Sequence, residues 1–124
     1  MLLIDANAIL RYMLNDNLDM AVKVRDFIAK SKIFVRYEVL AEVIYVLSKV
    51  YLMPRNEITK GVGIFLAHPN AETESNEVII LALKTYENAN IDFVDCVLYA
   101  FKCVYGYDVF TFDKKLNSMM NMLN

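Results

Sequence analysis

Short apolar runs with polar ends alternate along this chain with longer stretches whose apolar residues recur at helical spacing. Residues 1–4 are too short a run for a helix and suit a buried strand; Asp5 and Asn7 close it and open a helix through about Leu14. A second helix is predicted over 18–30, with Met20, Val24, Phe27 and Ile28 on one face, and a strand over 33–35. Residues 37–51 read as a long helix stopped before Pro54, which itself suits the first turn of a helix over 54–67. His68-Pro69 breaks that helix, and 71–73 reads as a short strand. Helices over 75–88 and 92–105 follow, then a β-branched and aromatic strand over 108–112 and a short Met-rich helix. Such alternation predicts an α/β fold in which a small parallel sheet is flanked by helices on both faces.

At 124 residues the chain is expected to form one domain, 1–124, large enough to hold a core without disulfides or structural zinc. The 57% hydrophobic content and only three Gly and two Pro argue against disorder. No apolar stretch is long enough to span a bilayer, and no leader pattern opens the chain, so a cytoplasmic protein without membrane association is expected. Cys96 and Cys103 fall on one predicted helix about 10 Å apart, too far to bridge, and are expected to be buried free thiols.

The candidate chemistry lies in carboxylates at element ends. Asp5 follows the first strand, Asp95 sits in Ile-Asp-Phe-Val-Asp, Asp113 follows Val-Phe-Thr-Phe, and Glu42 interrupts an otherwise apolar helix. In open parallel sheets ligands bind beyond the carboxyl ends of the strands, where Asp5 and Asp113 are predicted to lie. Four acids without a His or Cys framework suit a hard, oxygen-preferring cation such as Mg²⁺ or Mn²⁺. Each acid also has a plain structural role open to it: Asp5 a turn, Asp113 a helix cap, Asp92 and Asp95 a cap and a third-position acid, and Glu42 part of a polar stripe with Glu38, Tyr45 and Lys49. Net charge is −2; without the four proposed site acids the rest carries +2, and Arg11, Lys23, Arg25, Lys30, Lys32 and Arg36 are candidates for phosphate contacts.

These residues resemble the PIN-domain ribonucleases, and among them the small VapC-type toxins of toxin-antitoxin pairs. The resemblance covers essentially the whole chain. Leu2-Leu3-Ile4-Asp5-Ala6-Asn7 is similar to the family's opening strand with its Asp-Thr/Ser-Asn signature, and Val39-Leu40-Ala41-Glu42-Val43 to the helix carrying its glutamate. Asp92-Phe93-Val94-Asp95-Cys96 resembles the family's Asp-Phe-x-Asp-Ala step, and Thr111-Phe112-Asp113 its late Thr-x-Asp strand end. Two positions depart: Ala6 stands where Thr or Ser is usual, removing a hydroxyl that could orient a carboxylate or water, and Cys96 stands in place of Ala.

The resemblance implies a Mg²⁺- or Mn²⁺-dependent endoribonuclease in which Asp5, Glu42, Asp95 and Asp113 organise the metal, Asp92 is auxiliary, and Asn7 and Thr111 hydrogen-bond in the outer shell. It further implies an RNA substrate, an antitoxin partner and a homodimer. Two alternatives are a catalytically silent PIN-like binding module and an RNA-maturation nuclease outside any toxin pair. A receiver-type signalling domain fits less well, because no phosphoacceptor is paired with a Lys at a later strand end.

Overall fold

The computed structural model describes residues 1–15 and 17–123, which fall into two compact units, Met1–Glu74 and Ser75–Asn124. The first unit holds, in chain order, β1 (Leu2–Leu3), α1 (Ala6–Leu14), α2 (Leu18–Lys30), β2 (Ile33–Val35), α3 (Tyr37–Lys49), α4 (Arg55–Leu66) and β3 (Ala71–Thr73). Its strands form a parallel sheet in the order β1-β2-β3, with Leu2 opposite Ile33, and Ile33 in turn opposite Ala71. The α/β class expected from the alternating pattern is therefore present, with a small three-stranded parallel sheet and seven helices among the described residues.

The same pattern explains α3. Leu40, Val43, Ile44 and Leu47 are buried at the spacing of one helical face, while Glu38, Glu42, Tyr45 and Lys49 are exposed on the other. Pro54 precedes α4, its carbonyl accepting from the Glu57 and Ile58 amides, so the missing proline N–H costs nothing at that helix start. Within α4, Gly61 lies so close to α1 that a Cβ there would stand 2.8 Å from Met13 Cε. Met13 Cε is the free end of a flexible side chain, and between the same two helices Phe65 meets Tyr12 edge-on with ring centroids 5.3 Å apart. On α2 the predicted apolar face is only partly right: Ala21 and Ile28 are buried, whereas Met20 is exposed and Phe27 is 61% exposed.

The second unit is helical among its described residues: α5 (Asn76–Asn88), α6 (Phe93–Tyr105) and α7 (Lys114–Asn121). Ser75 caps α5 by accepting from the Val78 amide, and Val78, Ile79, Ala82 and Tyr86 supply its buried side. On α6 the buried residues are Phe93, Cys96, Val97 and Ala100, with Tyr86 and Phe93 packed edge-on at 6.2 Å. Burial of α6 stops at Ala100. Cys103 is consequently exposed, a correction to the expectation of two buried thiols, although both cysteines are free as expected.

The predicted strand over 108–112 does not form. The segment follows Gly106, whose φ of 71° ends α6 in a left-handed conformation, and among the described residues of its unit there is no strand to pair with. High β propensity describes side chains that suit a pleated surface, and it supplies no ladder where a neighbouring strand is missing. Phe110 and Phe112 touch each other edge-on instead, with centroids 5.3 Å apart.

Candidate active site

In the first unit the carboxyl ends of three parallel strands carry charged groups in sheet order: Asp5 after β1, Arg36 after β2 and Glu74 after β3. Asp5 is the N-cap of α1, with Oδ1 accepting from the Ala8 amide at 2.9 Å. A carboxylate has two oxygens and about four lone-pair positions, so this capping bond is compatible with a cation on the same side chain. Asn7 is exposed in the first turn of α1, while Ala6 beside it is 5% exposed. Glu42 is exposed partway along α3.

The start of α3 has a cap that no local sequence signal announced. Glu74 Oε1 accepts from the Tyr37 amide at 2.8 Å, across 37 residues of chain. An acid at a helix N-terminus meets unpaired amides and the positive end of the helix dipole. Arg36 pairs through Nε with Glu38, and Glu38 together with Glu74 holds the guanidinium above its ordinary value. Glu38 is held below the usual carboxylate range by a backbone hydrogen bond and by Arg36.

The second unit gathers the remaining acids. Asp92 is the N-cap residue of α6 but makes no side-chain capping bond, and Asp95 lies in the first helical turn. Asp113 caps α7, Oδ1 accepting from the Leu116 amide at 2.8 Å. Thr111 shapes that corner: its hydroxyl accepts from the Asp113 amide at 3.1 Å, and its carbonyl accepts from Asn117 Nδ2 at 2.9 Å. Burial raises the Asp95 carboxyl above its ordinary value, and the nearby charges of Asp113 and then Asp92 raise it further. Asp113, eighteen positions further along the chain, thus acts on Asp95 through space.

The linkage sign for Asp95 follows from that direction. A carboxyl whose folded value is raised stays protonated in the native state where the unfolded chain has already ionised, so stability falls as pH rises from the ordinary value of 3.8 through the raised one. In metal-free buffer, Asp95→Asn is therefore expected to melt above the parent at pH 7, with the margin closing as pH drops below 3.8. A melting series across that range checks it; a margin constant with pH would show that neither burial nor the neighbouring acids raise the Asp95 carboxyl.

Asp5 and Glu42 belong to the first unit and Asp92, Asp95 and Asp113 to the second. Among the described residues no group of three or more His, Cys, Asp or Glu side chains is drawn together closely enough to hold a metal ion. The chemistry of the donors nevertheless suits a hard divalent cation: they are all oxygen ligands, and the repulsion felt by Asp95 is what such a charge would relieve. His68, the single histidine, sits in the turn after α4, where Nδ1 accepts from the Asn70 amide at 3.1 Å. That contact shapes the turn.

An α/β chain with acids after β1 and at the starts of α6 and α7 has the make-up of a nuclease-type fold. The family model described as PIN domain matches residues 2–120, and the chain belongs to that family. PIN domains are generally metal-dependent nucleases, so at this coarse level the protein is placed among the hydrolases. Comparison with curated proteins and with solved structures gives no match. No helix among the described residues is long and apolar enough to cross a membrane.

Proposed function

We propose that this protein is a Mg²⁺- or Mn²⁺-dependent endoribonuclease, the toxin component of a type II toxin-antitoxin pair, acting in the cytoplasm. The observation that carries the reading is the match of the PIN model over residues 2–120, in a chain whose second unit sets Asp92 and Asp95 at the start of α6 and Asp113 at the start of α7. Asp5, Glu42, Asp95 and Asp113 would hold the cation, with Asp92 as auxiliary ligand and Asn7 and Thr111 as hydrogen-bonding support. When bound, the cation supplies charge for the scissile phosphate and an acidified water. Asp113 and Thr111 are already fixed by the start of α7, which limits the rearrangement needed there. Exposed Lys23 and Lys30, which border a hollow on α2, suit backbone phosphates.

An antitoxin segment and a second copy of the chain are the proposed protein partners. A hollow of about 290 Å³ between α1, α3 and α4, lined by Tyr12, Leu14, Leu47, Met53 and Ile64 among others, suits the apolar face of an antitoxin helix. An arginine from that segment would compete with the cation for the acids, since a guanidinium matches carboxylates in a fixed fork. Buried Ala6, without the usual hydroxyl, favours a second reading, a PIN module that binds RNA without cutting it.

The deciding experiment incubates the purified chain with cellular RNA and Mg²⁺ and sequences the new 5′ ends. The nuclease reading expects discrete new ends that vanish with chelator. RNA that stays intact in Mg²⁺ and Mn²⁺ while still being retained by the protein would establish the silent module instead.

A further inference from the structure

Three aromatic side chains form a cluster at the far end of α6 from the acids, tied to the unit through the Tyr105 hydroxyl, which donates to Ser75 Oγ at 3.1 Å. Phe101, Tyr105 and Tyr107 have centroids 5.5 to 6.0 Å apart, and their planes lie within 11° to 32° of one another. Gly106 makes this possible: its left-handed φ of 71° turns the chain just after Tyr105 and brings Tyr107 back onto Phe101. Such near-parallel rings offer flat π surface. Tyr105 and Tyr107 remain 50% and 57% exposed.

Position and charge indicate what that surface suits. From Asp95 to Tyr105, α6 rises about 15 Å, and the segment after Tyr107 leads back to Asp113, whose charge acts on Asp95. The ring cluster and the acids thus stand at opposite ends of one helix within one unit, a span that a few nucleotides of single strand bridge. Lys102, held 3.8 Å from Asp108, flanks the rings, and Lys114 and Lys115 follow Asp113. The exposed rings suit the bases of a single strand, which stack on aromatic faces whatever their identity, while Lys114 and Lys115 lie at the acid end, where cations meet the backbone.

We infer that Tyr105 and Tyr107, backed by Phe101, form a stacking subsite for an unpaired nucleobase of single-stranded RNA, a few nucleotides from the scissile bond. This rests on the nuclease reading and adds to it the part of the substrate held away from the acids. Because stacking uses the ring face, Tyr107→Phe preserves the subsite and Tyr107→Leu destroys it.

The test uses the full chain carrying Asp95→Asn, so that RNA is not consumed, and a fluorescein-labelled single-stranded RNA dodecamer read by anisotropy. A matched set of dodecamers carries one abasic position each. Tyr107→Leu is expected to weaken binding about tenfold, Tyr107→Phe to leave it within about twofold, and one abasic position to weaken the parent but not the Leu variant. Circular dichroism melts of each variant establish that the comparison is made on folded protein; if Tyr107→Leu does not fold, Tyr105→Leu takes its place. Equal affinity of the Leu variant and parent for intact RNA overturns the subsite, as does an equal abasic penalty in both. So does a Leu variant that changes oligomeric state in light scattering while keeping its RNA affinity. A parent that binds no RNA, together with wild-type chain that cuts none, overturns the subsite and the nuclease reading together, whereas loss of the tyrosine effect alone overturns only the subsite.

Discussion

Asp95→Asn is expected to lower Mg²⁺-dependent RNA cleavage by at least about a hundredfold, because it removes one negative charge from the cation site while keeping side-chain size. Asp5→Asn should do the same from the first unit, although it leaves an oxygen able to accept the Ala8 amide and so preserves the start of α1. Measuring cleavage rate against Mg²⁺ concentration for both variants, with melting curves beside them, separates lost chemistry from lost fold. The metal reading gains a thermodynamic check from the same samples. A cation that binds only the native state raises its stability, by about 2.7 kcal/mol at a hundred times the dissociation constant. Mg²⁺ should therefore raise the melting temperature of the parent and not of Asp95→Asn. Near-normal Mg²⁺-dependent cleavage by either variant would remove that acid from the proposed site.

The largest stability effect is expected at Phe65, away from the acids. Its side chain is 1% exposed and meets Tyr12 edge-on where α4 packs on α1. Truncating a buried Phe to Ala removes its transfer free energy and leaves a cavity, at a cost of about 3–5 kcal/mol. Against a total stability on the order of 5–15 kcal/mol that is a large share. Urea unfolding of Phe65→Ala should show a midpoint far below the parent, and Phe65→Leu should fall between them because it refills part of the space. A loss below about 1 kcal/mol would mean that α1 collapses onto α4 and closes the cavity.

Predictions of this kind differ in how far they can be drawn from sequence. The buried face of α3 was legible because a helix repeats every few residues and its apolar positions report the repeat directly. The strand over 33–35, the strand over 71–73 and the helix over 18–30 were read with the bounds they have in the fold, since turn and capping residues enclose each of them. The capping role open to Asp113 was likewise local, and its side chain does accept a helix-start amide; Asp5, offered a turn, also caps its helix, whereas Asp92, offered a cap, makes no capping bond. The reading of 108–112 went astray for a related reason. Val-Phe-Thr-Phe has strand composition, but a strand exists only through hydrogen bonds to another, and composition does not say whether one is present.

Sequence alone therefore determined the α/β alternation, most element bounds, the Asp113 cap of α7 and the identity of the acids, all set by interactions within about one helical turn or one strand pleat. Tertiary structure decided the rest. It partly buried Asp95 within reach of the charges of Asp113 and Asp92 and so raised its carboxyl, seated Glu74 on the start of α3, placed Gly61 against Met13, and folded Tyr107 back onto Phe101. Most of these join residues far apart along the chain. Desolvation and Coulomb interaction depend on distance through space, which local pattern does not encode.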